Sequence, residues 1–257
     1  MPSVSIVTVV KDHAVGLSNT YESAASQNFR DWEMLVVVGI SSDSTLATAL
    51  DLESRDSRVH VVEQNGLGIY TAMNEGIEKA HTDLIWFMNA GDKFAGRTVL
   101  AIGVQAMLNS TAGLVIGGYE IESDADHQFF SFASKTISTL NFAFTRRGGC
   151  HQAMIFRTNI LRELGGFTSN FRLANDFELV LKVIDRDGAI RVPDIFARVE
   201  PGGVSDKGIL LVHKEKNQIR KVFFNNFGVD LLSLLWTFLA SSKILIRQSL
   251  KRLKRWR

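Results

Sequence analysis

The amino-acid sequence is poor in residues that mark several protein classes. Among 257 residues there is a single cysteine, Cys150, and there are three prolines. One cysteine cannot form an internal disulfide framework, and it fits a reducing cytosol. No Ser/Gly-rich linker, internal repeat or low-complexity segment divides the chain. The length therefore allows one sizeable core, or one domain with an appendage.

Several sequence signatures of ligand binding are also missing. The formal net charge of +2 is close to neutral, which does not suggest nucleic acid as a partner. No Gly-x-Gly-x-x-Gly follows the first apolar run, which disfavours a dinucleotide dehydrogenase, and there is no Gly-Lys-Ser/Thr phosphate loop. No Cys/His cluster has zinc spacing. The first segment, MPSVSIVTVVKD, lacks a basic start and a small-residue cleavage site, so it predicts a strand and not a signal peptide.

The first half of the chain alternates short apolar runs with helical patterns. Strands are predicted at 4–10, 34–38, 58–63 and 84–88, and the first, second and fourth of them are predicted to be buried. Helices are predicted at 15–27, over LATALDLESRD after a cap at Asp43 or Ser44, and at 69–80. This alternation predicts an α/β fold with a mostly parallel sheet and helices on both faces.

The carboxyl ends of parallel strands meet at one edge, which is where such sheets bind ligands. The turns after the first, second and fourth predicted strands are therefore expected to lie together. Their polar residues form the candidate ligand edge: Lys11, Asp12, Ser41, Asp43, Asn89 and Asp92.

The second half of the chain is less regular. Strands are predicted at 114–121 and 127–132, over CHQAMIF and over AIRVPDIFARV. A short helix at 159–164 is expected to stop at Gly165 and Gly166. The segment LANDFELVLKVIDRDG has the spacing of an amphipathic helix with Asp176 in its first turn.

Two carboxylates are candidates for chemistry. Asp92 follows a buried strand and Ala-Gly, where it can hold Mg²⁺ or Mn²⁺ together with a substrate diphosphate; the alternative is an N-cap for the next helix. Asp176 can act as a general base, or it can simply complement the helix dipole. Cys150 and His151 would point to opposite faces of a strand, so a nucleophilic dyad is disfavoured and a strand-end histidine is expected.

Five motifs, taken in order, resemble the family-two glycosyltransferases of the bacterial capsule, colanic-acid-type exopolysaccharide and O-antigen (lipopolysaccharide) branch. They are SIVTVVKD, TYESAASQNFRDWEMLVV, GIYTAMNEGIEKAHTDLIWFMNAGD, CHQAMIFRTNILRELGGF and LANDFELVLKV. The resemblance covers about residues 3–205. It implies a GT-A fold over 1–205, with a nucleotide-sugar half at 1–92 and an acceptor half at 93–205. Residues 206–257 would be a helical extension.

The resemblance also implies an inverting sugar transfer and assigns residues to it. Asp92 takes the place of the last acid of the metal- and diphosphate-binding turn, and Asp176 that of the catalytic base. The remaining matches imply contacts with the nucleotide or the donor sugar: Thr8, Asp12, Asp43, Asn74, Asn89, His151 and Gln152.

The sequence departs from the family pattern at a few positions. Val38-Gly39 stands where Asp-Gly is common, and Thr71 stands where an acid often follows GIY. The metal turn has Asn89 and Gly91 where many relatives have Asp. The change at Val38 implies altered nucleotide selectivity, weak donor binding or lost activity.

The C-terminal segment is basic and amphipathic. Residues 230–240 are apolar but too short and too interrupted to span a bilayer comfortably. From residue 243 to 257 a basic face, carrying Lys243, Arg247, Lys251 and Lys254, opposes an apolar one. This pattern favours binding to an anionic membrane surface. The alternative is a helix packed on the domain or on a second subunit, which leaves a homodimer open.

The sequence as a whole predicts a cytoplasmic transferase, peripheral on the inner face of the plasma membrane. It would move sugar from a nucleotide-diphosphate sugar to a glycan or lipid-linked acceptor with help from Mg²⁺ or Mn²⁺. One alternative is a non-catalytic scaffold of a glycan-assembly complex, favoured by Val38. A sugar-phosphate nucleotidyltransferase would need a Gly-rich basic loop after the first strand, and VVKDHAVG does not supply one.

Overall fold

The computed structural model describes residues 3–123, 126–131, 135–144, 149–203 and 208–224. Its strands are β1 Val4–Val10, β2 Trp32–Val38, β3 Val59–Glu63, β4 Leu84–Phe87, β5 Lys93–Phe94, β6 Leu114–Ser123, β7 Asp126–Phe130, β8 Lys135–Ile137, β9 Met154–Arg157 and β10 Ala189–Val199. Its helices are α1 Ala14–Ala25, α2 Thr45–Arg55, α3 Ile69–Lys79, α4 Val99–Leu108, α5 Thr139–Phe144, α6 Thr158–Glu163, α7 Asn175–Asp187 and α8 Ile209–Phe224.

The strands form one mixed sheet in the order β3-β2-β1-β4-β9-β6-β10-β5, with β7 added to β6 and β8 to β10. Strands β1 to β4 are parallel to one another, as predicted. The description of the sheet as mostly parallel is wrong for the remainder, because β9 is antiparallel to both β4 and β6. Two such reversals leave β6 and β10 running in the same direction as β1.

Strand β1 is buried along its whole length because helices cover both faces of the sheet. On one face, Val4, Ile6 and Val10 join a core cluster that also contains apolar residues of α1, α2 and α4. On the other face α3 lies so close to β1 that a methyl group at Gly76 would overlap Val7. Burial on both faces explains why β1 is a continuous apolar run without polar alternation.

The predicted strand over CHQAMIF is wrong in its first half. His151–Ala153 form a single 3₁₀ turn, and the strand begins only at Met154. The expected stop after α6 is confirmed, because Gly165 and Gly166 both have positive φ, at 76° and 66°. Among the described residues, no helix is long and apolar enough to cross a membrane.

The chain divides into two compact units. The first contains residues 1–169 and 179–201, and the second residues 170–178 and 202–257. The first unit holds the sheet and α1 to α6. The predicted division at residue 205 stays a prediction, as does the division at residue 92. The basic tail at 243–257 and the apolar stretch at 230–240 lie outside the described residues.

Candidate active site

The loop after β1 is tied to the loop after β2 through Asp12. Its carboxylate accepts hydrogen bonds from the backbone N–H of Ser42 at 2.6 Å and from the Ser42 hydroxyl at 3.0 Å. Its own N–H donates to the Ser41 hydroxyl at 3.1 Å. These two hydrogen bonds lower the pKa of Asp12, and the one from the backbone N–H of Ser42 has the larger effect. Asp12 therefore stays ionised while it joins two loops of the predicted ligand edge.

Asp43 strengthens the same junction. One oxygen accepts the N–H of Thr45 at 2.9 Å and also the Thr45 hydroxyl, and the other accepts the N–H of Ala14 at 3.3 Å. The two hydrogen bonds from Thr45 lower the pKa of Asp43, and the one from the hydroxyl has the larger effect. The carboxylate thus satisfies backbone donors at the start of both α1 and α2, which are the groups that helix starts leave unpaired.

The turn after β4 is held from below by Thr20, a residue that the sequence did not single out. The Thr20 hydroxyl, fully buried in α1, accepts the N–H of Gly91 at 3.0 Å and lies 2.7 Å from the carbonyl oxygen of Asp92, to which it can donate. Gly91 has a φ of 99°, in the left-handed region that favours glycine. A side chain at Gly91 would also overlap Glu200. These contacts fix the backbone that carries Asp92.

Asp92 itself is only 5% exposed. Its Oδ1 accepts the backbone N–H of Glu200 at 2.9 Å, and its Oδ2 accepts the side-chain amide of Gln152 at 2.8 Å. Burial raises the pKa of Asp92 to about 6, even though these two hydrogen bonds favour the ionised form. The alternative of an N-cap for α4 is wrong, because Thr98 occupies the cap position of that helix.

The 3₁₀ turn brings both of its predicted site residues to the turn after β4. Besides the bond from Gln152 to Asp92, the Nε2 of His151 lies 3.3 Å from the Asn89 amide nitrogen. The Gln152 carbonyl accepts the indole N–H of Trp86 at 2.7 Å, which anchors the turn to β4. The Cys150 thiol donates to the Gln152 amide oxygen. Asn89, Asp92, His151 and Gln152 therefore form one connected group.

Glu200 is a second residue that the sequence analysis missed. Its backbone binds Asp92, and its carboxylate lies 2.9 Å from Nε2 of His13 at the end of the loop after β1. Because β10 runs parallel to β1 in the structure, the residue that follows β10 must lie at the same edge of the sheet. It went unnoticed because the sequence pattern does not reveal the direction of β10.

Two other predicted residues are placed differently. Thr8 is fully buried within β1, and its hydroxyl makes no hydrogen bond in the part of the chain that the structure describes. Asn74 in α3 donates to the carbonyl of Phe167 and accepts the N–H of Phe167, each at 2.8 Å. The Asn74 amide thus stabilises the turn after α6. Nucleotide contacts by Thr8 and Asn74 stay predictions.

Asp176 belongs to the second unit. It lies in the first turn of α7, as predicted, and is half-buried. The side chain of the preceding Asn175 accepts the N–H of Phe171 at 3.2 Å and donates to the Phe171 carbonyl. The helix that carries Asp176 therefore begins at a well-defined point.

The side chains of the first unit can be compared with the ligands that a divalent cation needs. Within the described ranges, no group of three or more His, Cys, Asp or Glu side chains could hold a metal ion. A cation that keeps substrate and water ligands needs fewer protein oxygens, and one carboxylate is sufficient for that arrangement. Asp92 supplies it, and the buried Asn89 Oδ1 in the same turn has no hydrogen-bond partner in the described structure. The residues present therefore fit Mg²⁺ or Mn²⁺ bound jointly with a diphosphate.

Several known proteins are similar to this chain in sequence. The chain is 29% identical over 182 residues to an uncharacterized glycosyltransferase of Mycobacterium tuberculosis. The aligned region covers 70% of this chain and 68% of the relative. It is 24% identical over 183 residues to a PGL/p-HBAD biosynthesis glycosyltransferase of Mycobacterium bovis, with 70% and 69% covered. A putative teichuronic acid biosynthesis glycosyltransferase of Bacillus subtilis is 28% identical over 122 residues, with 47% and 48% covered.

Solved structures share the fold. Staphylococcus aureus TarS 1-349 in complex with UDP superposes with a TM-score of 0.67 at 15% identity, over 87% of this chain and 71% of that one. A mannosyltransferase from Pyrobaculum calidifontis in complex with GDP-Man and Mn²⁺ gives 0.68 at 14% identity, over 98% and 81%. The expected GT-A type of fold is thereby confirmed. The sequence profile described as glycosyl transferase family 2 matches residues 5–165, and the chain belongs to that family of glycosyltransferases.

Proposed function

We propose that this glycosyltransferase transfers a sugar, with inversion, from a nucleotide-diphosphate sugar to a hydroxyl group of a cell-surface glycan or lipid-linked acceptor. The observation that carries the proposal is the buried carboxylate of Asp92 at the ligand edge. It is held by two hydrogen bonds, and its pKa is raised to about 6. A carboxylate kept in so unfavourable a setting is characteristic of functional sites.

Solved structures support the proposed donor class, and relatives in sequence support the proposed acceptor class. The TarS structures contain UDP or UDP-GlcNAc, and the mannosyltransferase from Pyrobaculum calidifontis contains GDP-Man, so a UDP- or GDP-sugar is the proposed donor. The curated relatives are named for PGL/p-HBAD and teichuronic acid biosynthesis. They favour a cell-envelope glycolipid or polysaccharide in general over capsule, colanic acid or O-antigen in particular.

Asp92, with the free oxygen of Asn89 beside it, is the proposed holder of Mg²⁺ or Mn²⁺. When bound, the cation neutralises the negative charge that develops on the departing diphosphate. Gln152 and the backbone of Glu200 keep the Asp92 carboxylate oriented. His151 lies next to Asn89 in the same connected group, and we assign it to the donor sugar. Asp12 and Asp43 shape the loops assigned to the nucleotide.

Asp176 is the proposed general base. It accepts the proton of the acceptor hydroxyl as the acceptor oxygen forms a bond to the anomeric carbon. The bond between that carbon and the diphosphate oxygen breaks on the opposite face, and the nucleoside diphosphate leaves with the bonding electrons. One displacement inverts the anomeric configuration, and no covalent enzyme intermediate is needed. Holding the two reactants in line supplies much of the remaining acceleration.

The basic segment at 243–257 carries the proposed location. Lys and Arg side chains next to apolar ones favour an anionic membrane, and an acceptor linked to lipid would lie there. We therefore propose a peripheral position on the cytoplasmic face of the membrane. Val38, the feature that favoured a scaffold, packs into the core at 5% exposure. No described contact of Val38 favours the scaffold, so we retain the enzyme as the single candidate.

Calorimetric titration tests the donor site. The purified chain is titrated with UDP and GDP, each with and without Mn²⁺, and the titration is repeated on Asp92→Asn. The matched control is Asp83→Asn, which changes an exposed aspartate at the opposite end of β4. We expect Mn²⁺-dependent binding that is lost in Asp92→Asn and kept in Asp83→Asn. Equal binding by all three proteins would contradict the role of Asp92, and no binding by folded wild type would favour the scaffold.

Release of nucleoside diphosphate tests the base. Wild type is incubated with Mn²⁺ and UDP-GlcNAc, UDP-glucose, UDP-galactose or GDP-mannose, with water as the acceptor. Asp176→Asn should lower the rate of hydrolysis of the preferred donor by about 10²-fold or more, in the range of general-base catalysis. Its affinity for the nucleotide should not change. A variant that hydrolyses the donor at the wild-type rate would remove Asp176 from the mechanism.

A further inference from the structure

The second unit contains a buried acid that the proposed mechanism does not use. Glu215 lies in α8 and is 6% exposed. Its two carboxylate oxygens accept the backbone N–H groups of Arg172 and Leu173, at 2.9 Å and 2.8 Å. Both oxygens of one side chain are thus directed at two successive peptide groups. A carboxylate that accepts two backbone N–H groups in this way forms strong, charge-assisted hydrogen bonds.

The backbone that Glu215 holds leads directly to Asp176. Arg172 and Leu173 precede the start of α7 by two to three residues, and Asp176 is the second residue of that helix. The segment is fixed at a second point by the bonds between Asn175 and Phe171. The position of the first turn of α7 therefore depends on a contact from α8, which is more than thirty residues away in the chain.

A second contact from α8 reaches the residue on the other side of Asp176. Phe177 is 6% exposed, and its ring lies 5.0 Å from the Lys216 ammonium and 5.3 Å from the Arg220 guanidinium. Such cation–π contacts are attractive within about 6 Å of the ring centre. Arg220 is itself 1% exposed and donates to Asn217 at 2.6 Å. Helix α8 therefore contacts the chain both before and after Asp176.

We propose that Glu215 is a positioning residue for Asp176, acting through the backbone at 172–173. This inference rests on the proposed role of Asp176 as the base. It concerns a helix outside residues 5–165, the range matched by the family profile. A base must lie within hydrogen-bond reach of the hydroxyl that it deprotonates, and a displacement of about 1 Å can slow catalysis by about 10²-fold. The carboxylate of Glu215 fixes this distance without touching substrate.

The variant that tests the inference is Glu215→Gln, which keeps the size of the side chain. An amide offers one acceptor oxygen and one donor NH₂ group, so one of the two N–H groups loses its partner and faces another donor. The matched control is Glu163→Gln, which makes the same change at an exposed glutamate paired with Arg186. Thermal denaturation establishes that each variant is folded at the assay temperature.

Hydrogen exchange followed by mass spectrometry gives the first readout, and it needs no substrate. In Glu215→Gln the peptide covering 170–178 should exchange at least ten-fold faster than in wild type, whereas Glu163→Gln should match wild type there. Unchanged exchange over 170–178 in Glu215→Gln would overturn the proposal. Faster exchange in this peptide supports the tether between α8 and the start of α7.

Hydrolysis of the preferred donor gives the second readout. We expect kcat to fall about 10- to 100-fold in Glu215→Gln, with KM and the dissociation constant of the Mn²⁺–nucleotide within two-fold of wild type. The low-pH limb of the kcat profile should move as well, because the surroundings of the base change. A loss that only follows the folded fraction, with the limb unmoved, would mean a structural role and overturn the proposal.

The double variant Asp176→Asn/Glu215→Gln separates this inference from the proposed function. If Glu215 acts through Asp176, the double variant should be no slower than Asp176→Asn alone. Additive losses would overturn the positioning role but leave the base intact. Full activity of Asp176→Asn would refute the base, and the positioning role of Glu215 with it. A slow Asp176→Asn beside a fully active Glu215→Gln would refute the positioning role alone.

Discussion

Replacing Asp92 by asparagine is expected to make the free protein more stable while it abolishes Mn²⁺-dependent nucleotide binding. Burial raises the pKa of Asp92 from its ordinary value of 3.8 to about 6. A raised pKa means that the folded protein holds a proton more tightly than the unfolded chain. The stability from this group is complete below about pH 4 and is lost as the pH rises through 6.

The magnitude follows from the two pKa values. At about 1.4 kcal/mol per pKa unit, the difference between the folded and the ordinary pKa corresponds to about 3 kcal/mol of lost stability above pH 7. At pH 5 only about half of this loss has occurred, because the folded carboxyl is still mostly protonated. Asparagine avoids the loss, although its amide meets one of the two donors, Gln152 or the Glu200 N–H, with a cost of about 1 kcal/mol. The advantage of Asp92→Asn should therefore grow by about 1.4 kcal/mol between pH 5 and pH 7.5.

Urea denaturation in EDTA at the two pH values measures this difference, and the cost of the altered hydrogen bond cancels because it does not depend on pH. Asp56→Asn is the control with the opposite sign. The side chain of Arg58 lowers the pKa of Asp56 to about 2, so Asp56→Asn should destabilise the protein by about 1–2 kcal/mol, equally at both pH values. An advantage of Asp92→Asn that is the same at pH 5 and pH 7.5 would refute the reasoning.

Three further substitutions test the surroundings of the site. Thr20→Val should cost about 1–3 kcal/mol in urea denaturation, since it leaves buried backbone groups unpaired, and should weaken Mn²⁺–nucleotide binding in calorimetry, whereas Thr20→Ser should do neither. Gly91→Ala should lower both stability and nucleotide affinity because its methyl group overlaps Glu200; Gly68→Ala has the same φ of 99° but open space, so it should lower only stability. Asn74→Ala should lower the melting temperature but leave nucleotide affinity unchanged, and a loss of affinity would restore its predicted role in donor binding.

Strands β1, β2 and β4 could be predicted because each is buried almost throughout and stands out as an apolar run. Strand β3 differs, because it lies at the edge of the sheet and only its first residue, Val59, is buried. The 3₁₀ turn at His151 could not be predicted from the sequence. CHQAMIF has the composition of a strand throughout, and only tertiary contacts decide where the strand begins. The indole of Trp86 and the carboxylate of Asp92 both bond Gln152, and these bonds hold the backbone in a 3₁₀ turn. Sixty residues separate Gln152 from Asp92, so no local pattern signals the pair.

The candidate site shows the same division between local and distant causes. A carboxylate after a buried strand can be found from sequence, as Asp92 was, because strand ends and ligand edges coincide in α/β sheets. The burial of Asp92 cannot be found from sequence, because the three residues that enclose the carboxylate come from distant elements. They lie in α1, in the 3₁₀ turn and after β10: Thr20, Gln152 and Glu200.

That burial has two opposed consequences. It raises the pKa of Asp92 and so destabilises the free protein at neutral pH. It also removes water from the carboxylate, and a charge with less water around it attracts a cation more strongly. Binding of Mn²⁺ with a nucleoside diphosphate should therefore recover stability that the free protein lacks, in wild type but not in Asp92→Asn. At pH 7.5 the order of stability of the two proteins should reverse when ligand is added, and a failure to reverse would separate the burial of Asp92 from its proposed function.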